Sequence, residues 1–179
     1  MSRGAQEPSF SPLYDRLVPG EGASVLVRRA TVEDAVAVTA LHGYLQRMHT
    51  ETHPDVFTVF DPEVTRPHFE GILASDEALI WVAEIEGEAV GYAWANLVHR
   101  EATALAHEQR ALHVQALAVA PRARGAGVGR ALMQAAEDYA RSLRLASVTL
   151  NTWVFNTGAH DFYERLGYER LHMTMGRRL

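Results

Sequence analysis

Apolar positions along this chain recur with periods that change from segment to segment, and the changes mark out its elements. Residues 24–29 read as a short strand. Thr31 with Asp34 forms a capping box, and behind it Val38, Leu41, Leu45 and Met48 recur at helical spacing in a helix that ends before Pro54. Asp61-Pro62 is an N-cap with proline at the first helical position. It starts a second helix with Phe69, Ile72 and Leu73 on one side, and Pro67 counts against its continuity. Residues 79–85 and 89–97 are apolar, β-branched and aromatic runs around Glu86-Gly87-Glu88, the pattern of an antiparallel hairpin. A polar connection over 99–110 leads to a strand at 112–119 and then a helix over 129–143, whose Leu132, Ala136, Tyr139 and Leu143 share a face. A strand at 147–152, a helix over 159–166 ended by Gly167, and a final strand pair within 168–177 complete the pattern.

Strands and helices interleave from residue 24 onward, which predicts a single mixed α/β domain over 24–179. Residues 1–23 hold Pro8, Pro12, Pro19, Gly4, Gly20 and Gly22 and read as an N-terminal arm, with Phe10, Leu13, Tyr14 and Leu17 able to pin it. At 47% hydrophobic and 22% charged, the 179 residues have the composition of an ordinary globular protein. The net charge of −5 and pI near 6.0 argue against a nucleic-acid partner. No apolar run reaches the ~18–20 residues that span a bilayer, and residues 1–23 lack the core of a secretory signal. The expectation is a cytoplasmic protein without membrane contact.

Two absences narrow the chemistry. The chain has no Cys, and every one of its 17 basic residues is Arg. Thiolate metal sites and cysteine nucleophiles are therefore excluded, as are Walker A loops and lysine Schiff bases.

The most informative stretch is Val119-Ala120-Pro121-Arg122-Ala123-Arg124-Gly125-Ala126-Gly127-Val128-Gly129-Arg130, between a strand and a strongly patterned helix. Its alternate glycines let backbone approach a ligand, and successive amides at a helix head concentrate positive partial charge, which suits a pyrophosphate. Arg122, Arg124 and Arg130 add planar donors. A glycine-rich turn with solvated arginines is the alternative. A dinucleotide fingerprint fits poorly, because Arg130 stands at its third glycine and no acidic residue occurs between Asp138 and Asp161 to hold a ribose.

Arg122-x-x-Gly125-x-Gly127, preceded by Leu117-Ala118-Val119-Ala120-Pro121, resembles the acyl-CoA signature of the GNAT superfamily of N-acetyltransferases. Asn156-Thr157-Gly158-Ala159-His160-Asp161-Phe162-Tyr163-Glu164-Arg165-Leu166-Gly167-Tyr168 is similar to a second block of that superfamily. The resemblance implies a mostly antiparallel central sheet flanked by helices and splayed at its fourth strand. It implies acetyl-CoA as co-substrate, with its pyrophosphate on the amides of Arg124, Gly125, Ala126, Gly127, Val128 and Gly129. The pantetheine arm then lies beside Leu117 and Val119, and Asn156 and Arg130 belong to the same cofactor set. It also leaves a homodimer open.

Acetyl transfer to an amine needs a neutral amine and a proton for the leaving thiolate. The resemblance puts the general acid at Tyr163. The resemblance implies a splayed, bulged strand there; alternation along 112–119 puts His113, Gln115, Leu117 and Val119 on one face, and His113 is the candidate base because Gln115 accepts no proton. His107 and Glu108 are weaker candidates for that role. On the acceptor side the resemblance points to His49-Thr50-Glu51-Thr52-His53-Pro54-Asp55-Val56-Phe57, where Glu51 and Asp55 are placed to hold a cationic amine and Phe57 to line the pocket. The H-x-E-x-H order and Pro54 argue against a metal there. Trp81, Tyr92, Trp94 and Trp153 read as core or sheet-face aromatics. Direct transfer from acetyl-CoA to an amine is the leading expectation. A non-catalytic acyl-CoA sensor is the alternative, and a nucleotide-dependent reductase the third reading.

Overall fold

The computed structural model describes residues 24–75 and 78–177; the expected arm lies outside the described residues. The chain runs β1 (Leu26–Arg29), α1 (Ala35–Thr52), α2 (Pro62–Leu73), β2 (Leu79–Ile85), β3 (Glu88–Arg100), β4 (Gln109–Val119), α3 (Val128–Ser142), β5 (Ser147–Leu150) and α4 (Thr157–Arg165). The strands form one sheet in the order β1-β2-β3-β4-β5, antiparallel except for the parallel pair β4 and β5, which the α3 crossover makes possible. This is the mixed, mostly antiparallel architecture that the sequence predicts.

Helices cover both faces of the sheet. On one face, Leu132, Met133 and Ala136 of α3 pack on Trp81, Ala83, Leu112 and Val114. On the other, Val38 and Leu41 of α1 and Phe69 of α2 pack on Ile80, Val82 and Tyr92. Burial on both sides explains why β2, LIWVAEI, is an almost continuous apolar run rather than an alternating one. Tyr92 is fully buried, with its hydroxyl 2.7 Å from His42 Nδ1, and burial raises the phenol pKa and lowers the imidazole to about 4.

Local chemistry accounts for most boundaries. The Asp34 carboxylate accepts from the Thr31 amide at 2.8 Å, and Arg28 forks onto it at 2.7 and 2.8 Å while also bonding Glu84, tying β1, the head of α1 and β2 together. Asp61 caps α2 through the Glu63 amide, and α2 runs unbroken through Pro67. That proline sacrifices one backbone bond, and burial of Phe69 and Leu73 beyond it holds the helix together. Glu86 and Gly87 both take positive φ, 52° and 81°, in the two-residue turn that matches strand twist.

Two expectations need correction. β3 and β4 extend well into the supposed polar connection, pairing His99 with Arg110 and Arg100 with Gln109. Polar residues suffice there because this end of the hairpin is exposed on both faces. The final strand pair is not formed within residues 168–177. The chain after Gly167 is tied instead to helices: the Tyr168 hydroxyl donates to Glu137 of α3, and Arg170 bonds Glu164 of α4.

Candidate active site

Between β4 and α3 the chain makes a short 3-10 turn, Pro121–Ala123, followed by Gly125 and Gly127, both at φ 82°. Only glycine adopts that conformation without strain, and a Cβ at either position would meet nothing within 4 Å, so the loop presents bare backbone to an open space. The amides of Arg124 and Ala126 close the turn on the carbonyls of Pro121 and Ala123. The helical ladder starts with Ala131 N–H on Gly127, leaving the amides of Val128, Gly129 and Arg130 at the positive head of α3. Arg124 and Arg130 are exposed beside them, whereas Arg122 is mostly buried and bonds Glu88 at 3.0 Å, clamping the turn to the β2–β3 hairpin.

Two glycines set the position of α3 for packing. At Gly91 of β3 a Cβ would lie 2.8 Å from Val128 Cγ1, and at Gly129 one would lie 3.1 Å from the Phe162 ring and 3.8 Å from Val119 Cγ2. Gly129 is therefore where the head of α3, the end of β4 and α4 converge. α4 is capped by Asn156, whose side-chain oxygen accepts from the Ala159 amide at 3.1 Å. Tyr163 follows Phe162 on α4 and packs edge-on against Phe162 and Tyr168. Burial pushes its phenol up to about 12, so it carries its proton at every physiological pH.

β4 does not keep one phase. Trp94 pairs with Ala116 and Ala95 with Val114, which leaves Gln115 bulged out without an opposite residue. Leu112 and Val114 face α3, and beyond the bulge Leu117 and Val119 do so too, while Ala116 and Ala118 face α1 and α2. The expected shared face of His113, Gln115, Leu117 and Val119 is thus broken, and His113 lies on the α1 and α2 side. β5 pairs with β4 only over residues 111–114, so past the bulge no described strand covers that edge of β4.

His113 Nδ1 is 2.9 Å from Thr149 Oγ1, and its Nε2 is 3.4 Å from Asn151 Nδ2. An amide nitrogen only donates, so this pairing assigns the Nε2 lone pair to accept it and the proton to Nδ1. Partial burial, helped by the Arg100 guanidinium, holds the imidazole below its usual pKa and so neutral near pH 7. His99 and Glu108 bond each other at 2.8 Å on the exposed hairpin end.

Below β5 the segment 151–156 meets the end of α1. Phe57 stacks on His49 with centroids 4.6 Å apart and meets Trp153 edge-on at 5.3 Å; His53 lies 5.0 Å from Trp153 and 5.2 Å from Phe155. An open cavity of about 720 Å³ lies among His53, Trp153, Phe155 and Arg177, with Val56 and Val154 beside them. Trp81 and Tyr92 are core residues as expected, but Trp153 is 39% exposed and belongs to this surface cluster. Its signal in the sequence was the isolated aromatic pair Trp153 and Phe155 in an otherwise polar turn. Glu51 and Asp55 are exposed; Glu51, two residues from His49 and from His53 on α1, points to the other side of the helix. No group of three or more His, Asp or Glu among the described residues is placed to hold a metal, and no described helix is long and apolar enough to cross a membrane.

Comparison with known proteins places this geometry in a group. Residues 44–168 match the acetyltransferase (GNAT) family. An uncharacterized N-acetyltransferase of Methanocaldococcus jannaschii is 32% identical over 116 residues, which are 62% of this chain and 48% of that protein. The chain thus spans about half the length of that relative. Among solved structures, a tetramutant of a Bacillus halodurans protein superposes with a TM-score of 0.81 at 25% identity, covering 86% of this chain and 99% of that one. An aminoglycoside N-acetyltransferase solved in complex with CoA superposes with a TM-score of 0.70 at 20% identity, covering 91% and 99%.

Proposed function

Since the chain belongs to the acetyltransferase (GNAT) family, we propose that it transfers an acetyl group directly from acetyl-CoA to the amine of a small molecule or a protein N-terminus. The observation that carries this reading is the pair of open, positive-φ glycines, Gly125 and Gly127, at the head of α3 and next to the uncovered edge of β4. Acetyl-CoA supplies a thioester whose acetyl carbon is open to attack.

The residues divide the work. The amides of Gly125, Gly127, Val128, Gly129 and Arg130 hold the pyrophosphate with the α3 dipole behind them, and exposed Arg124 and Arg130 add charge. Arg122 acts through the backbone, because Glu88 already engages its guanidinium. Leu117 and Val119 lie on the stretch of β4 that no described strand covers, and offer that main-chain edge to an extended amide-bearing chain, in the manner of strand addition. Asn156 supports the site by fixing the start of α4.

For the transfer itself, the His113 Nε2 lone pair, once released by the Asn151 amide that donates to it at 3.4 Å, takes the proton that the amine loses on attack, directly or through one water, and Tyr163 gives its phenolic proton to the departing thiolate. The two act from opposite faces of the sheet. Phe57 contributes to the acceptor side, whereas the exposed Glu51 and Asp55 stand outside the lining of the cavity and take no direct part in holding the acceptor.

The direct test is release of CoA thiol from acetyl-CoA across a panel of amines, with thermal stabilisation by CoA read in parallel. The chain has no cysteine, so a thiol reagent reports CoA alone. Stabilisation by CoA with amine-dependent release supports the reading; stabilisation with no release from any amine overturns it in favour of a sensor.

A further inference from the structure

The cavity at the end of α1 has a lining that is aromatic and cationic. Trp153 and Phe155 lie at 30° to each other with centroids 6.0 Å apart, and His53 and Phe57 close the cluster from α1 and the segment after it. A tryptophan left 39% exposed beside Val154 at 74% is a surface that folding has not covered. The turn that carries it is held: His160 of α4 lies 3.1 Å from the Trp153 carbonyl, and Asn156 N–H bonds the same carbonyl at 3.0 Å. Among the described residues, Arg177 is the one permanently charged residue on the cavity wall, and none of the described lining residues is a carboxylate. Asn151, which meets His113 at 3.4 Å, stands two residues before Trp153 in the chain, on the same segment that supplies the cavity's aromatic wall.

We propose, resting on the acetyltransferase reading above, that this cavity is the acceptor subsite and selects a primary amine that carries both a flat aromatic ring and a carboxylate, as an aromatic amino acid does. The ring packs against Trp153 and Phe155, the carboxylate meets Arg177, and the amine is left toward His113. A volume of about 720 Å³ accommodates such a molecule. A polycation meets Arg177 with charge of the same sign and finds no carboxylate in the described lining to offset it.

The test compares kcat/KM for phenylalanine, alanine, phenethylamine and spermidine, each at saturating acetyl-CoA. Phenylalanine is expected to exceed both alanine and phenethylamine at least about tenfold, the scale of one well-packed ring or one charge-assisted contact. Trp153→Ala is expected to collapse the phenylalanine-to-alanine ratio and Arg177→Gln the phenylalanine-to-phenethylamine ratio, each by about tenfold, with KM for acetyl-CoA unchanged. Both side chains are on the surface, and Phe155→Leu provides a milder second probe of the ring contact. Stabilisation by CoA together with a preference for spermidine, no turnover of phenylalanine, or ratios indifferent to the substitutions overturns this assignment alone. Absence of stabilisation by CoA overturns the parent reading instead.

Discussion

His113 and Leu117 stand four residues apart on β4, yet they lie on opposite faces of the sheet, because Gln115 bulges out between them. An unbroken strand would have put both on one face. The bulge leaves the imidazole on the α1 and α2 side of the sheet while Leu117 and Val119 remain on the α3 side with Phe162 and Tyr163. The first prediction concerns that imidazole. His113→Gln should lower kcat about 100-fold, a typical loss for a general base. Since the base works when neutral and its pKa is held low, the wild type should keep its rate below pH 6.5, and the variant should lose the acidic limb of the kcat profile. A stopped thiol assay from pH 5 to 9 measures both.

Tyr163→Phe should lower kcat by about 100-fold and leave the affinity for acetyl-CoA within about twofold. The phenol is pushed up to about 12, so its ionisation should cost the wild-type enzyme nothing up to about pH 10. An alkaline limb below that pH that vanishes in Tyr163→Phe would contradict this assignment. Steady-state kinetics with calorimetric titration of acetyl-CoA separates the two effects.

Three glycine-to-alanine variants should behave differently. At Gly91 the new methyl collides with Val128 Cγ1 at 2.8 Å, so the variant should lose about 1–3 kcal/mol and shift the head of α3. At Gly127 there is open space but φ is 82°, so it should lose about 1–2 kcal/mol from strain and also bind CoA more weakly, because the methyl enters the cradle. At Gly71, helical with nothing within 4 Å, it should gain about 0.5–1 kcal/mol with unchanged activity. Urea unfolding and CoA titration of the three variants check the order.

Stability should fall on acidification before any carboxylate is protonated. His42 is held neutral by burial, with His49 and His68 also lowering its pKa, to about 4 against 6.5. The unfolded chain therefore binds a proton that the folded one refuses, and the stabilisation is present above pH 6.5 and lost progressively as pH falls toward 4. Between pH 7 and pH 5 this amounts to about 2 kcal/mol. Denaturant unfolding at the two pH values should show it, and His42→Gln should flatten the slope.

Much of this protein was legible in its residues, because the decisive forces there are local. Helical apolar spacing, the Asp61-Pro62 start, the Glu86-Gly87 turn and the glycines at 125 and 127 each dictate backbone conformation within a few residues, and the structure has all of them. The phase slip of β4 was also written there: large apolar residues stand at 112 and 114 and then at 117 and 119, with glutamine between. Its meaning emerged only when Ala95 and Trp94 were seen to skip Gln115.

Other features depend on partners far away along the chain, and periodicity carries no information about them. Nothing in the sequence signals that Glu88 stands beside the Arg122 guanidinium, or that the missing side chain of Gly129 makes room for the Phe162 ring. Trp153 reads as a core or sheet-face aromatic until the end of α1 brings His53 and Phe57 to it in a surface cluster. In place of the final strand pair, a long-range bond from Tyr168 to Glu137 and a nearby one from Arg170 to Glu164 tie the chain to the helices rather than to the edge of β5. Composition and spacing determined the sheet, the helices and the glycine-rich turn; only tertiary packing decided which face carries His113 and that an aromatic cavity opens at the end of α1, since both follow from pairings between elements.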